Sequence, residues 1–76
     1  MTIAHLNKGQ KAIIGEMTSQ DIPLKLMEMG CLPGNTVELI QVAPFKDPLY
    51  LQINETYLSI RKETAELITI ELIEDE

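Results

Sequence analysis

The sequence predicts an all-β domain, a small barrel of about five strands with one short helix after the first strand. Three observations lead there. Turn-forming residues recur about every eight to twelve residues, the rhythm of a small all-β domain. The apolar runs between them mostly alternate with polar residues, the period of a half-buried strand. A single segment breaks that rhythm with helical spacing. The 76 residues leave room for one core, so residues 1–76 are expected to form one domain.

The elements follow in order. Leu6 leads into a turn at Asn7-Lys8-Gly9, and Lys11 to Glu16 then reads as a strand centred on Ala12, Ile13 and Ile14. Thr18 to Asp21 is polar and supplies helix caps. The helix is expected over Ile22–Met29, with Pro23 in its first turn and Asp21 as its cap. Ile22, Leu26 and Met29 form its buried stripe, and Gly30 takes the left-handed turn that stops it. So short a helix is not stable alone and must pack on the sheet. Pro33-Gly34 turns the chain into the longest strand, Thr36 to Ala43. Val37 and Leu39 share one parity while Ile40 and Val42 share the other, which predicts a bulge or strong bend. The segment APFKDP, from Ala43 to Pro48, carries two prolines and is a loop. Leu49, Leu51 and Ile53 alternate with Tyr50, Gln52 and Asn54, and after a turn at Asn54-Glu55, Leu58 and Ile60 alternate with Ser59 and Arg61. Lys62 to Glu66 reads as one helical turn, and Leu67 to Leu72 closes the sheet with Ile68, Ile70 and Leu72 on one face. Five short strands that must hide their edges favour an SH3-like barrel, with the helix plugging one end.

Composition narrows the function. Twelve acids against six bases give a net charge of −6, the wrong sign for a phosphate backbone, so no nucleic-acid partner is expected. The acids Glu71, Glu74, Asp75 and Glu76 read as a solvated tail. The N-terminus lacks the apolar run of a secretory signal and no run is long enough to span a bilayer. A cytoplasmic protein without membrane insertion is the expectation. One histidine, His5, and one cysteine, Cys31, provide neither a catalytic constellation nor a four-ligand zinc site. No enzyme activity, cofactor or metal ligand is assigned. The aromatics are Phe45, Tyr50 and Tyr57, too few for a proline-reading groove.

Four segments, in order, resemble the FeoA family, small cytoplasmic accessory proteins of bacterial ferrous iron uptake. They are NKGQKAII, KLMEMGCLPG, APFKDPLYLQI and LSIRKETAELI, and together they cover nearly the whole chain. The residues that carry the resemblance are Leu26, Glu28, Gly30, Pro33 and Gly34, then Pro44, Asp47 and Pro48, then Leu58, Arg61, Glu63 and Ala65. Lys25 stands where arginine is usual, Ser59 replaces a common alanine, Thr64 stands where glutamate is common, and Asn54-Glu55 fills a turn that usually carries glycine. The resemblance implies an SH3-like barrel and a partner, FeoB, a membrane ferrous transporter with a cytoplasmic GTP-binding domain. The same module closes iron-dependent repressors. With no helix-turn-helix ahead of it, this chain is not expected to read DNA.

The matched glycines, prolines and Asp47 have a sufficient explanation in turn geometry. The partner-binding face is therefore sought among outward apolar groups. Leu24 and Met27 lie off the buried stripe, Cys31 and Leu32 continue that surface, and Phe45 in the proline loop adds to it. This face is expected to contact FeoB or another copy of the chain. Two competing readings stay open: Cys31 as a small apolar filler at the corner, and Met27 and Phe45 as plugs of the barrel mouth. A second function class is a small transition-metal-binding protein, an iron chaperone or sensor acting without FeoB through His5, Cys31 and the tail carboxylates.

Overall fold

Strand β1 (Lys11–Ile14) is paired with a neighbour on each side. A computed structural model describes residues 1–73; Glu74, Asp75 and Glu76 of the acidic tail lie outside the described residues. The other strands are β2 (Thr36–Val42), β3 (Leu49–Ile53), β4 (Thr56–Ile60) and β5 (Ile70–Leu72). All pairings are antiparallel, and the sheet order is β4-β3-β2-β1-β5. Alternation decides which face is inside. Ala12 and Ile14 are buried while Lys11 and Ile13 are exposed, and β3 buries Leu49, Leu51 and Ile53.

The parity switch in β2 is a bulge. Leu39 faces Leu51 but Gln41 faces Tyr50, so Ile40 is the extra residue. The insertion keeps Val42 opposite buried Leu49 and bends the strand where the sheet must curl.

The helix α1 is shorter than its sequence suggests, Leu24–Glu28. Asp21 is not its cap. Pro23 occupies the cap position with ψ 133°, outside the helix, and no side chain caps it. Asp21 instead donates its backbone N–H to Ser19 Oγ at 3.1 Å. Ile22 precedes the helix yet is buried, and Leu26 is the helix's buried residue. The helix ends as expected. Gly30 has φ +103°, its N–H bonds to the Met27 carbonyl at 3.1 Å, and the Cys31 N–H reaches back to Leu26 at 3.0 Å. This paired closure brings apolar Cys31 and Leu26 together in the core.

A second helix, α2 (Lys62–Ala65), follows β4 directly. Its cap comes from far away in sequence: the Asp47 carboxylate accepts the Lys62 N–H at 3.1 Å. A 3-10 turn at Ile3–His5, which the alternation did not signal, contributes fully buried Ile3.

The two edges of the sheet are treated differently. Beyond β5 the N-terminal segment adds hydrogen bonds, from Ile70 N–H to the Met1 carbonyl at 2.9 Å and from Ile3 N–H to the Ile68 carbonyl at 3.0 Å. Beyond β4, no further backbone partner is found among the described residues.

Candidate partner-binding site

The five residues singled out in the sequence fall into two groups. Leu24 and Leu32 are exposed, and Phe45 is 99 % exposed. Cys31 is not on that surface: it is 1 % exposed, because the left-handed Gly30 turns the next residue inward to close the helix end. Met27 is partly buried against the core rather than presented outward. The filler reading therefore holds for Cys31, whereas Phe45 plugs nothing.

Phe45 sits on a short 3-10 turn, Pro44–Lys46, between β2 and β3. Its backbone is left-handed, φ 68° and ψ 15°, and Lys46 follows with φ 65°. Such conformations cost roughly 1–2 kcal/mol per residue for side chains with a Cβ. An aromatic ring held fully in water on a strained backbone serves no packing purpose. Strain of this kind concentrates where a surface contacts a ligand or partner.

Two elements flank the end of β4. On one side α1 forms a groove of about 470 Å³ against Leu58, Ile60 and Arg61. On the other, Asp47 and Pro48 of the Phe45 loop line a depression with Ser59, Ile60 and Arg61. The loop that carries Phe45 and the helix that carries Leu24 thus border the same short segment. On the outer sheet surface Tyr50 and Tyr57 stack, with ring centroids 6.0 Å apart.

The cations are gathered in a way the sequence does not reveal. Lys8, Lys46 and Lys62 line one depression with His5, and among the described residues no acid lines it. Lys25 and Arg61 line the groove beside α1. These positions are far apart in the chain, and the fold brings them together. Asp47 was also legible only as a turn residue. The signal for its capping role was an α2 that begins after Arg61 without a local capping side chain.

Chemistry at the titratable groups is limited. Burial pushes the Cys31 thiol up to about 11, so it stays protonated and is a poor nucleophile or metal ligand at neutral pH. His5 Nδ1 accepts the Thr2 N–H at 3.0 Å, which assigns the ring proton to Nε2. Among the described residues, no group of three or more His, Cys, Asp or Glu side chains is placed to hold a metal ion.

Residues 1–72 match the family model for the FeoA domain. The chain belongs to the FeoA family. It is 35 % identical over 74 residues to a fusion protein of Fe(2+) transport protein A and Fe(2+) transporter FeoB from Porphyromonas gingivalis. That match takes in 96 % of this chain but spans only 9 % of the relative. The solution structure of FeoA from Chlorobium tepidum superimposes with a TM-score of 0.90 at 27 % identity, covering 100 % of this chain and 74 % of that one. FeoA of Stenotrophomonas maltophilia, crystallised with zinc and described as an SH3 domain protein, gives a TM-score of 0.79 at 22 % identity, over 93 % of this chain and 89 % of that one. At that identity the likeness concerns the fold alone, and the fold of this chain is the all-β, SH3-like one. The family is associated with ferrous iron transport, as an accessory component. No helix among the described residues is long and apolar enough to cross a membrane.

Proposed function

We propose that this member of the FeoA family is a non-catalytic accessory protein of ferrous iron uptake that works in the cytoplasm by binding FeoB. The observation that carries the reading is the Porphyromonas gingivalis relative, in which a FeoA-like portion and FeoB are one polypeptide. A covalent link between two modules replaces a binding equilibrium with a high effective concentration, which is useful when the modules act on each other. The contact surface is drawn from the exposed apolar residues, with Phe45 as its anchor and Leu24 and Leu32 as further exposed contacts. An aromatic that is wholly exposed in the free protein gains the most by entering a partner's apolar pocket.

Co-purification with detergent-solubilised FeoB from the same cell tests this. FeoB is expected to be retained by the wild-type chain, and Leu24→Glu is expected to release it while circular dichroism still reports a folded domain. Failure of the wild-type chain to retain FeoB contradicts the reading. The metal-binding alternative has no comparable support, since Cys31 is buried and protonated.

A further inference from the structure

The groove between α1 and β4 combines three features that point to one kind of occupant. Its floor is apolar, with Leu26 and Met29 on the helix side and Leu58 and Ile60 on the strand side. Its volume of about 470 Å³ falls in the range of ligand-binding clefts, roughly 300–1,000 Å³.

The second feature is the strand that forms its wall. β4 lies at the edge of the sheet, and no backbone bond of Thr56–Ile60 beyond the β3 ladder is found among the described residues. A two-residue loop joins Ile53 to Thr56, so that pair is the hydrogen-bonded kind. Bonded and non-bonded pairs alternate along the ladder, so the N–H and C=O groups of Tyr57 and Ser59 point away from β3. The opposite edge of the sheet has its equivalent groups engaged by Met1 and Ile3. Among the described residues β4 has no such cover, and it carries no proline or lysine to blunt it.

The third feature is charge. Lys25 and Arg61 line the groove and, among the described residues, no acidic side chain does, in a chain whose net charge is −6. The charged side chains lining the groove are therefore opposite in sign to the net charge of the molecule. They attract an acidic partner that the rest of the surface repels.

We infer that this groove binds an extended, acidic and aliphatic peptide segment of a partner protein, which adds to the sheet as a strand along β4. Backbone pairing to Tyr57 and Ser59 supplies orientation. Alternate aliphatic side chains enter the groove against Leu58 and Ile60, and carboxylates meet Lys25 and Arg61. The inference is separate from the Phe45 contact and does not require that the partner be FeoB.

An NMR titration of the full chain tests it, using a capped hexapeptide of alternating valine and glutamate as the probe. The amide signals of residues 57–61 and 25–29 are expected to shift. The double variant Lys25→Glu, Arg61→Glu is expected to weaken binding at least tenfold. Ser59→Pro, which removes an outward donor at a position an edge strand tolerates, is expected to do the same. A peptide N-methylated at alternate residues keeps the side chains but cannot pair, and its binding should also fall at least tenfold, whether or not the proline variant folds. Equal binding of a valine-lysine peptide overturns the charge argument. Undiminished binding of the N-methylated peptide overturns strand addition. No shift at millimolar peptide overturns the site. Sedimentation of the protein alone assigns the groove to a second copy, and so overturns the proposal, if a dimer forms that Ser59→Pro abolishes.

Discussion

Cys31 shows how one residue's environment sets both its chemistry and its pH response. In the unfolded chain its thiol titrates near 9.0, and burial raises that to about 11 in the fold. Between those values the native state keeps a proton that the unfolded chain has released, so stability falls as pH rises. The loss attributable to Cys31 is about 2–3 kcal/mol across the window, at about 1.4 kcal/mol per unit. In denaturant melts between pH 9 and 11 the wild type should lose stability more steeply than Cys31→Ala, and a parallel decline contradicts it. Gly30 is equally constrained. An alanine there is strained at φ +103°, and its Cβ would lie 3.3 Å from Asn54 Nδ2. Gly30→Ala is expected to cost about 1–2 kcal/mol, read as a lowered denaturation midpoint. Both residues were partly legible: a glycine after a helical run announces a left-handed stop, but not that it swings the next side chain inward. That is why Cys31 could be read as outward or as core.

At the scale of elements, the strands were legible because alternation is a direct consequence of the pleat. The β2 bulge was legible because a parity switch has few other causes. The start of α1 was not. Proline fixes φ, and −58° suits both a cap and a first helical residue; ψ decides, and proline leaves ψ free. Nor could the sequence say that α2 takes its cap from Asp47, fifteen positions away. Asp47→Ala is expected to cost about 0.5–1 kcal/mol, the low end for a cap because the bond is exposed, and Asp47→Asn should recover most of it. Melting temperatures check both, and an unchanged midpoint in Asp47→Ala contradicts the capping role.

Across the whole molecule, one layer of aliphatic side chains carries the stability. Leu51 and Ile53 from β3, Leu39 and Val37 from β2, and Ile68 and Ile3 from the two ends are all fully buried. Leu51→Ala should cost about 2–5 kcal/mol, a large share of what a domain of this size has in total. A calorimetric midpoint close to wild type argues against that core. The overall excess of acid was evident from composition, but the gathering of Lys8, Lys46 and Lys62 at one depression and of Lys25 and Arg61 at one groove is a product of topology. The candidate site was half legible for the same reason: Leu24, Leu32 and Phe45 are exposed as anticipated, while Met27 and Cys31 were drawn inward by packing. Phe45, strained and exposed, is the proposed anchor for FeoB. Phe45→Gly isolates it. Relief of roughly 1–2 kcal/mol of backbone strain is offset by roughly 0.5–1 kcal/mol of glycine entropy, so the variant should be as stable as wild type or slightly more so. Affinity for solubilised FeoB, measured alongside the melting temperature of the same variant, is the direct test. At least tenfold weaker binding by an undamaged fold is the predicted result, and wild-type affinity in Phe45→Gly would contradict it.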